Sequence, residues 1–359
     1  MGKINKWISF LLALVLSISF FLLTGCGSDI KTEKKNLKNF EIAAGNNSVA
    51  HVLAFLPKEA GFYEEEGLNV NINVANTNAD AFSALTSGKV LACGGGSTAP
   101  LNLIEDGNDL VIIGGLMSEG AALFTLPGRE DEWKNITPEG IKGKKIGVTR
   151  AQSGDIAFRA ALAKQGIDLK TVEFVELGDC PTIIEAVKKG MIDAGIVFMT
   201  FRETAQSQGL KVAKHIDEVA PGFICCRLTT TKKALAENRG DFVKLIRAQI
   251  KAYRLYKADP VKTLEYAKRF VEIDEKILKS QLYGYGHLGL DPNPAKNKIE
   301  DFYEGMKQIG YVAGKKNIDD YIDTSVFEEA LNSLLKEEPN DPTFLDLKKE
   351  FEETQKPNK

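Results

Sequence analysis

Residues 59–74 read EAGFYEEEGLNVNINV, that is Glu59-Ala60-Gly61-Phe62-Tyr63-Glu64-Glu65-Glu66-Gly67 followed by Leu68-Asn69-Val70-Asn71-Ile72-Asn73-Val74. The second part alternates branched apolar and polar side chains, the period of a strand. Ahead of it, 49–60 reads as a helix, and Gly61 suits the left-handed position just past a helix end. Further upstream, 40–44 is a short apolar strand. Strand, helix and strand joined by short glycine turns describe a parallel βαβ unit.

The pattern continues outward. A helix over 79–87 closes at Gly88, a strand follows over 90–93, then a helix over 97–105 and a strand over 110–113. After Gly128 a charged connection leads to Ile141-Lys142-Gly143-Lys144-Lys145, where the pattern restarts. The strand 145–149, helix 153–165, strand 171–177, helix 182–189 and strand 192–198 follow, with Gly166 and Gly190 closing the helices. Asp80, Ala84-Leu85 and Gly88-Lys89-Val90 are echoed by Asp179, Ala186-Val187 and Gly190-Met191-Ile192. The fold class is therefore α/β, with two similar lobes, each a doubly wound sheet. A strand over 222–229 returns the chain to the first lobe. Beyond it, 241–257 sets Phe242, Leu245, Ile246, Ile250, Tyr253 and Tyr256 on one helical face. Pro260 breaks that helix, and others start at Val261, Glu275, Ala295 and Ser325; these are expected to cover the first lobe's sheet. Lobe I then takes 40–125 and 222–359, and lobe II takes 126–221, with crossings near Thr125 and Pro221.

Composition narrows the function. The 46 basic residues are interspersed with 49 acidic ones, for a net charge of -3, so no basic stripe invites nucleic acid. Five cysteines form no closely spaced framework. His51, His215 and His287 stand far apart in sequence, and no G-x-S-x-G or metal-spaced His/Cys cluster occurs. A monomer that is not an enzyme, without cofactor or metal, is the expectation.

The N-terminus supplies an address. Lys3 and Lys6 precede an apolar stretch over 7–23, which ends in Leu23-Thr24-Gly25-Cys26. This is the layout of a secretory signal peptide over 1–25. It resembles the bacterial lipobox, which implies cleavage before Cys26 and acylation of that cysteine, palmitate included. A retained signal anchor is the alternative. Residues 26–39 are polar and lysine-rich and read as a flexible tether of at most about 45 Å.

The stretch 59–70 is similar to the G-x-F-x-x-x-G-L-x-V segment of the nitrate, sulfonate, taurine and thiamine-precursor class of ABC-transporter solute-binding proteins. Ala84-Leu85-Thr86-Ser87-Gly88 resembles that family's A-L-x-x-G turn. Ile141-Lys142-Gly143-Lys144-Lys145-Ile146-Gly147-Val148 resembles its entry to the second lobe, and Ala186-Val187-Lys188-Lys189-Gly190-Met191-Ile192-Asp193-Ala194 its A-L-x-x-G-x-V-D-A run. The resemblance spans about 40–312. It implies a two-lobed periplasmic-binding-protein fold of type 2, two hinge segments, and an interlobe cleft holding a small solute. The implied partners are an importer's permease and ATPase subunits, with the protein lipid-anchored on the outer face of the cell membrane.

In open α/β sheets, ligands sit beyond the carboxyl ends of the strands, against helix N-termini rich in N–H donors. The candidate cleft residues follow from the strand ends. They are Asn46, Asn47, Ser48 and His51; Asn76, Thr77, Asn78 and Asp80; Gly95, Gly96, Ser97 and Thr98; Ser118 and Glu119; and Gln152, Ser153, Gly154 and Asp155. Asp179 and 199–202, beginning at Met199, complete the ring. Several have a plainer reading: Asn47, Ser48, Ser97, Asp80 and Asp179 also suit helix caps, and His51 a surface or capping role. Cys225-Cys226 reads as a buried pair whose side chains alternate to opposite faces. Carboxylates at Asp80, Glu119, Asp155 and Asp179 against Arg150 and Arg202 leave the solute open. A sulfonate, nitrate or taurine-like anion is one reading; a pyrimidine or other nitrogen heterocycle is another. A sensor-partner protein and a thiamine-pyrimidine enzyme are the remaining classes.

Overall fold

The computed structural model describes residues 36–45 and 48–356. The signal peptide, Cys26, most of the tether, Asn46 and Asn47 lie outside the described residues. The described residues from Leu37 onward gather into one compact unit.

Two mixed sheets organise it. The first holds β1 (Lys38–Ala44), β2 (Leu68–Val74), β3 (Ala92–Gly96), β4 (Leu110–Glu119), β10 (Ile224–Thr231) and β11 (Leu288–Leu290), in the order β11-β4-β10-β3-β1-β2. The second holds β5 (Ala121–Thr125), β6 (Lys145–Thr149), β7 (Glu173–Leu177), β8 (Ala194–Phe198) and β9 (Lys211–His215), in the order β7-β6-β8-β5-β9. In each sheet, the strand that has just crossed from the other lobe is inserted antiparallel: β10 between β3 and β4, and β5 between β8 and β9. β11 also pairs antiparallel with β4, whereas β1–β2, β1–β3, β6–β7 and β6–β8 are parallel, as βαβ connections require.

The first crossing differs from expectation. Residues 121–125 are a strand of the second sheet, so the chain passes over at Gly120 and not near Thr125. Glu119 (φ 64) and Gly120 (φ 84) both take left-handed backbone there and reverse the chain between two apolar runs that look continuous in sequence. The first strand begins at Lys38, two residues before the expected start. β3 begins later than expected and runs on through Gly94–Gly96, which are strand and not loop.

The long helix Lys232–Ala258 packs on the first sheet through Phe242, Leu245, Ile246 and Ile250, all fully buried, with Phe242 edge-on to Phe40 at 5.1 Å. Its periodic face begins only after a break at Asn238 (φ -133), which is why the sequence pattern shows only the later part. Pro260 opens the next helix at its first turn, where its missing N–H is not needed. The helices do not all cover the first lobe. Lys296–Gln308 runs against Ser153–Lys164 of the second, so closely that a Cβ on Gly305 would stand 2.9 Å from Ala160 Cβ. Ile299, Phe302 and Met306 share one core cluster with Ile156, Phe158 and Leu162. A last helix, Pro342–Thr354, is capped by Asp341, whose carboxylate accepts from Phe344 N at 3.0 Å.

Candidate ligand cleft

A cavity of about 600 Å³ opens between the two sheets, walled by both lobes and floored by β10. From the first lobe come Ser48, His51, Asn76, Thr77, Asn78 and Gly96. These sit where β1, β2 and β3 end, the edge at which parallel strands hand over to helices. From the second come Thr149 at the end of β6, Gly178 to Cys180 after β7, and Phe198 to Phe201 from the end of β8, with Gln152 capping the helix Ser153–Lys164.

The glycines of β3 shape the first wall. Asn78 lies over them: a Cβ on Gly96 would meet Asn78 Nδ2 at 2.6 Å, and one on Gly95 would stand 3.0 Å from both Asn78 Oδ1 and Phe82. The carboxamide also accepts a long bond from Gly96 N at 3.4 Å. Gly95 and Gly96 are thus the floor on which Asn78 rests, and Gly96 alone of the two reaches the cleft.

The other two residues of that run turn inward. Ser97 is fully buried, and both its N–H (2.8 Å) and its hydroxyl (3.0 Å) donate to the carbonyl of Cys225. Ser153, from the opposite lobe, donates to the same carbonyl at 3.2 Å. One backbone oxygen of β10 therefore joins the helix starts of both lobes. Thr98 is buried beside it.

The second-lobe candidates divide in the same way. Gln152 lines the cleft, whereas Ser153, Gly154 and Asp155 do not. Gly154 is packed so tightly that a Cβ would stand 2.8 Å from that of Ala121. Asp155 is buried and pairs with Arg159 at 2.6 Å, in a separate groove shared with Arg150 and Tyr311. Burial raises the Asp155 carboxyl and the Arg159 guanidinium only partly offsets it. Glu119 sits at the crossing, where its carboxylate accepts from Gly222 N at 2.8 Å and ties the two interlobe segments together.

Capping explains two more. Thr77 caps the helix Asn78–Thr86 by accepting from Asp80 N at 3.1 Å, so Asp80 belongs to the helix's first turn and stays out of the cleft. Asp179 caps Cys180–Lys188 through Thr182 N at 2.8 Å, yet it also lines the cleft. The hydroxyl and N–H of Thr182 hold its carboxyl below the usual range, so it is ionised at neutral pH.

Three features escaped the sequence reading. Besides Met199, which the sequence placed in the ring, sulfur lines the cleft at Met117, Cys180, Cys225 and Cys226. Alternation would part Cys225 from Cys226, but register shifts between Ile224 and Cys226, and again between Cys226 and Arg227, bend β10 at this point. Both thiols are buried and their sulfurs stand 3.5 Å apart. Second, Arg227 is buried beneath them and donates to the carbonyls of Met117, Cys226 and Pro294 at 2.9 to 3.0 Å; burial draws its guanidinium down to about 10. Third, no Lys or Arg stands among the described residues that line the cleft. Arg202 instead lies over the Tyr285 ring at 4.4 Å, and Arg150 points to solvent 4.0 Å from Glu176.

Comparison with known proteins agrees with this architecture. The family model described as NMT1/THI5 like matches residues 48–263, more than half of the chain. The protein BAB2_1146 of Brucella abortus, which carries a binding-protein name, is 26% identical over 145 residues, 39% of this chain and 45% of its own length. The chain thus matches less than half the length of that relative. YtlA of Bacillus subtilis, similarly named, is 22% identical over 82% of this chain and 89% of its own. Among solved structures, a ligand-binding component of an ABC-type import system from Staphylococcus aureus with zinc bound has a TM-score of 0.67 at 15% identity, covering 82% of this chain and 99% of that one. The aliphatic sulphonate binding protein SsuA of Escherichia coli has a TM-score of 0.67 at 15% identity, covering 81% and 99%. The desulfurization enzyme DSZB shares the fold too, with a TM-score of 0.59 at 13% identity over 82% and 99%.

Proposed function

Because this chain belongs to the NMT1/THI5-like family, we propose that it is an extracytoplasmic solute-binding protein that delivers one small polar molecule to an ABC importer and does no chemistry on it. The observation that carries this reading is the cleft itself. It draws donors and acceptors from the strand ends of both lobes, notably Asn78 on one side and Gln152 on the other. A solute touching both lobes favours their approach, because only differential affinity shifts such an equilibrium. The importer's permease and ATPase then respond to the closed form.

The chemistry of the walls bears on the solute. A sulfonate or nitrate gains most from bidentate or charge-assisted donors. Here the described lining offers amides, hydroxyls, sulfur, two phenylalanines, the His51 imidazole and the ionised Asp179, with neither Lys nor Arg. That set suits a flat nitrogen heterocycle with an N–H to give to Asp179 better than a strong anion. The anion reading keeps one point in its favour, the sulfonate binder among its structural neighbours.

Cys26, by its lipobox, anchors the chain to the outer face of the membrane, and the protein works as a monomer beside its importer. Incorporation of labelled palmitate in the native host, abolished by Cys26→Ser, checks the anchor. For the solute, melting of the purified full-length protein is followed against pyrimidines, amino acids, taurine, alkanesulfonates and nitrate, since a ligand of the native state raises the melting temperature. A rise with a pyrimidine, and recovery of that compound unaltered, is expected. A rise confined to sulfonates or nitrate overturns the heterocycle, and turnover of the bound compound overturns the binding-only reading.

A further inference from the structure

Outside the cleft, the fold gathers side chains that the sequence keeps about 70 residues apart. His215 ends β9 and Asp217 follows it, both in the second lobe; His287 immediately precedes β11 of the first. One ring nitrogen of each histidine and one carboxylate oxygen of Asp217 lie within 4.8 Å of one another. His287 Nδ1 and Asp217 Oδ2 are 2.7 Å apart, and the two imidazoles stack at 3.5 Å with planes 7° from parallel. Asp217 Oδ1 is buried and has no hydrogen-bond partner among the described residues. A carboxylate oxygen without a partner, next to two imidazoles, is poorly served by the protein alone.

We propose that His215, Asp217 and His287 bind a divalent transition-metal ion of the zinc class, clasping the two lobes at the hinge. Two imidazoles and one carboxylate are the donors such borderline ions take, with a fourth position left to water. Hard ions such as magnesium and calcium prefer all-oxygen sets. The ion takes the place of the hydrogen between His287 Nδ1 and Asp217 Oδ2, since a metal-bound ring nitrogen carries no proton. Bonds of about 2.0 to 2.2 Å put ligand atoms roughly 3.3 Å apart, so the His287–Asp217 pair opens slightly, the wider gaps close, and the ring stack tilts. Tyr285 OH stands 3.2 Å from His215 Nδ1 and can orient that ring as an outer partner. Arg202 over the Tyr285 ring is a fixed cation nearby, and the Asp217 carboxylate offsets the charge of the ion.

The position gives the ion a mechanical consequence. The His287 carbonyl accepts from Gly120 N at 2.9 Å, and Leu288 pairs with Glu119, so His287 is fastened to the first crossing. His215 and Asp217 lie just ahead of the second, at Gly222. An ion held by both sides favours one lobe arrangement, and reciprocity then makes metal and solute alter each other's affinity.

The test is calorimetric titration of metal-free full-length protein with zinc, magnesium and calcium, together with the visible spectrum of the cobalt form. Expected are one zinc per chain, no competition by magnesium, and a loss of affinity of about tenfold or more in His287→Gln and in Asp217→Asn. Cobalt should show ligand-field bands without thiolate charge transfer. Zinc binding unchanged in the His215→Gln/His287→Gln double variant overturns the proposal, as does no saturable zinc binding in the wild type, or thiolate charge transfer that places the ion at Cys225 and Cys226. Should a variant fail to fold by circular dichroism, the wild-type cobalt spectrum still decides between nitrogen–oxygen and sulfur ligation.

Discussion

Gly96 does in one atom what a side chain would undo. Asn78 occupies the space its Cβ would take, at 2.6 Å, so Gly96→Ala pushes the carboxamide off the wall of the cleft. Gly96 is a strand residue without left-handed backbone, so the folded chain tolerates alanine. The expected outcome is a loss of solute affinity of about tenfold with little change in the urea midpoint, read by titration and by denaturation of the same variant. Arg227 is the opposite case. It does not line the cleft, and its removal takes a donor from three carbonyls. Arg227→Met should cost about 2 to 4 kcal/mol in urea unfolding, and a loss below about 0.5 kcal/mol contradicts a stabilising role for these bonds. The vicinal thiols report on occupancy: Cys225 and Cys226 face the cavity, so bound solute should slow their alkylation, and mass spectrometry of the labelled peptide checks this.

At the scale of elements, the parallel units were legible because each announced itself twice, by period and by a terminal glycine. Gly61, Gly88, Gly166 and Gly190 all have positive φ, the backbone such ends demand. What stayed hidden has physical causes. β5 follows β4 after a single glycine, and no local pattern says that the two strands belong to different sheets. The bulge in β10 reverses the facing of Cys226, and a bulge leaves no trace in a short apolar run. Of the candidate site residues, Ser48, His51, Asn76, Thr77, Asn78, Gly96, Gln152, Asp179 and Met199 line the cleft. Ser97, a helix cap, and Thr98, Ser153 and Asp155 of the first helical turns bury their side chains instead; position at a helix start does not by itself separate the two groups, since Asn78 and Ser153 are both first helical residues. The pair of helices behind the first sheet carries its own pH signature. Burial works against the Glu66 carboxylate, but Arg247 at 2.7 Å and Lys251 outweigh it and hold its carboxyl below the usual 4.5. A depressed folded-state value stabilises above the unfolded one and is lost as pH falls through the folded one. The stability gap between wild type and Glu66→Gln should therefore be full at pH 6 and shrink below about 4.5. A gap that persists unchanged down to acid unfolding contradicts this.

For the whole molecule, the arrangement of sheets assigns each part a task. Two similar lobes present facing strand ends, while the crossings at Gly120 and Gly222 lie behind them, joined through Glu119. The Cys225 carbonyl gathers Ser97 and Ser153 at the back of the cleft, and Lys296–Gln308 reaches from one lobe to the other. A solute arriving between Asn78 and Gln152 meets both lobes at once, which is the condition for occupancy to be felt as shape. Calorimetric titration of the compound that raises the melting temperature, into wild type, Asn78→Ala and Gln152→Ala, addresses this most directly. One molecule bound per chain, with each substitution weakening it by about tenfold or more, is the predicted result. Undiminished affinity in the Asn78→Ala/Gln152→Ala double variant would place the solute elsewhere and contradict an interlobe site.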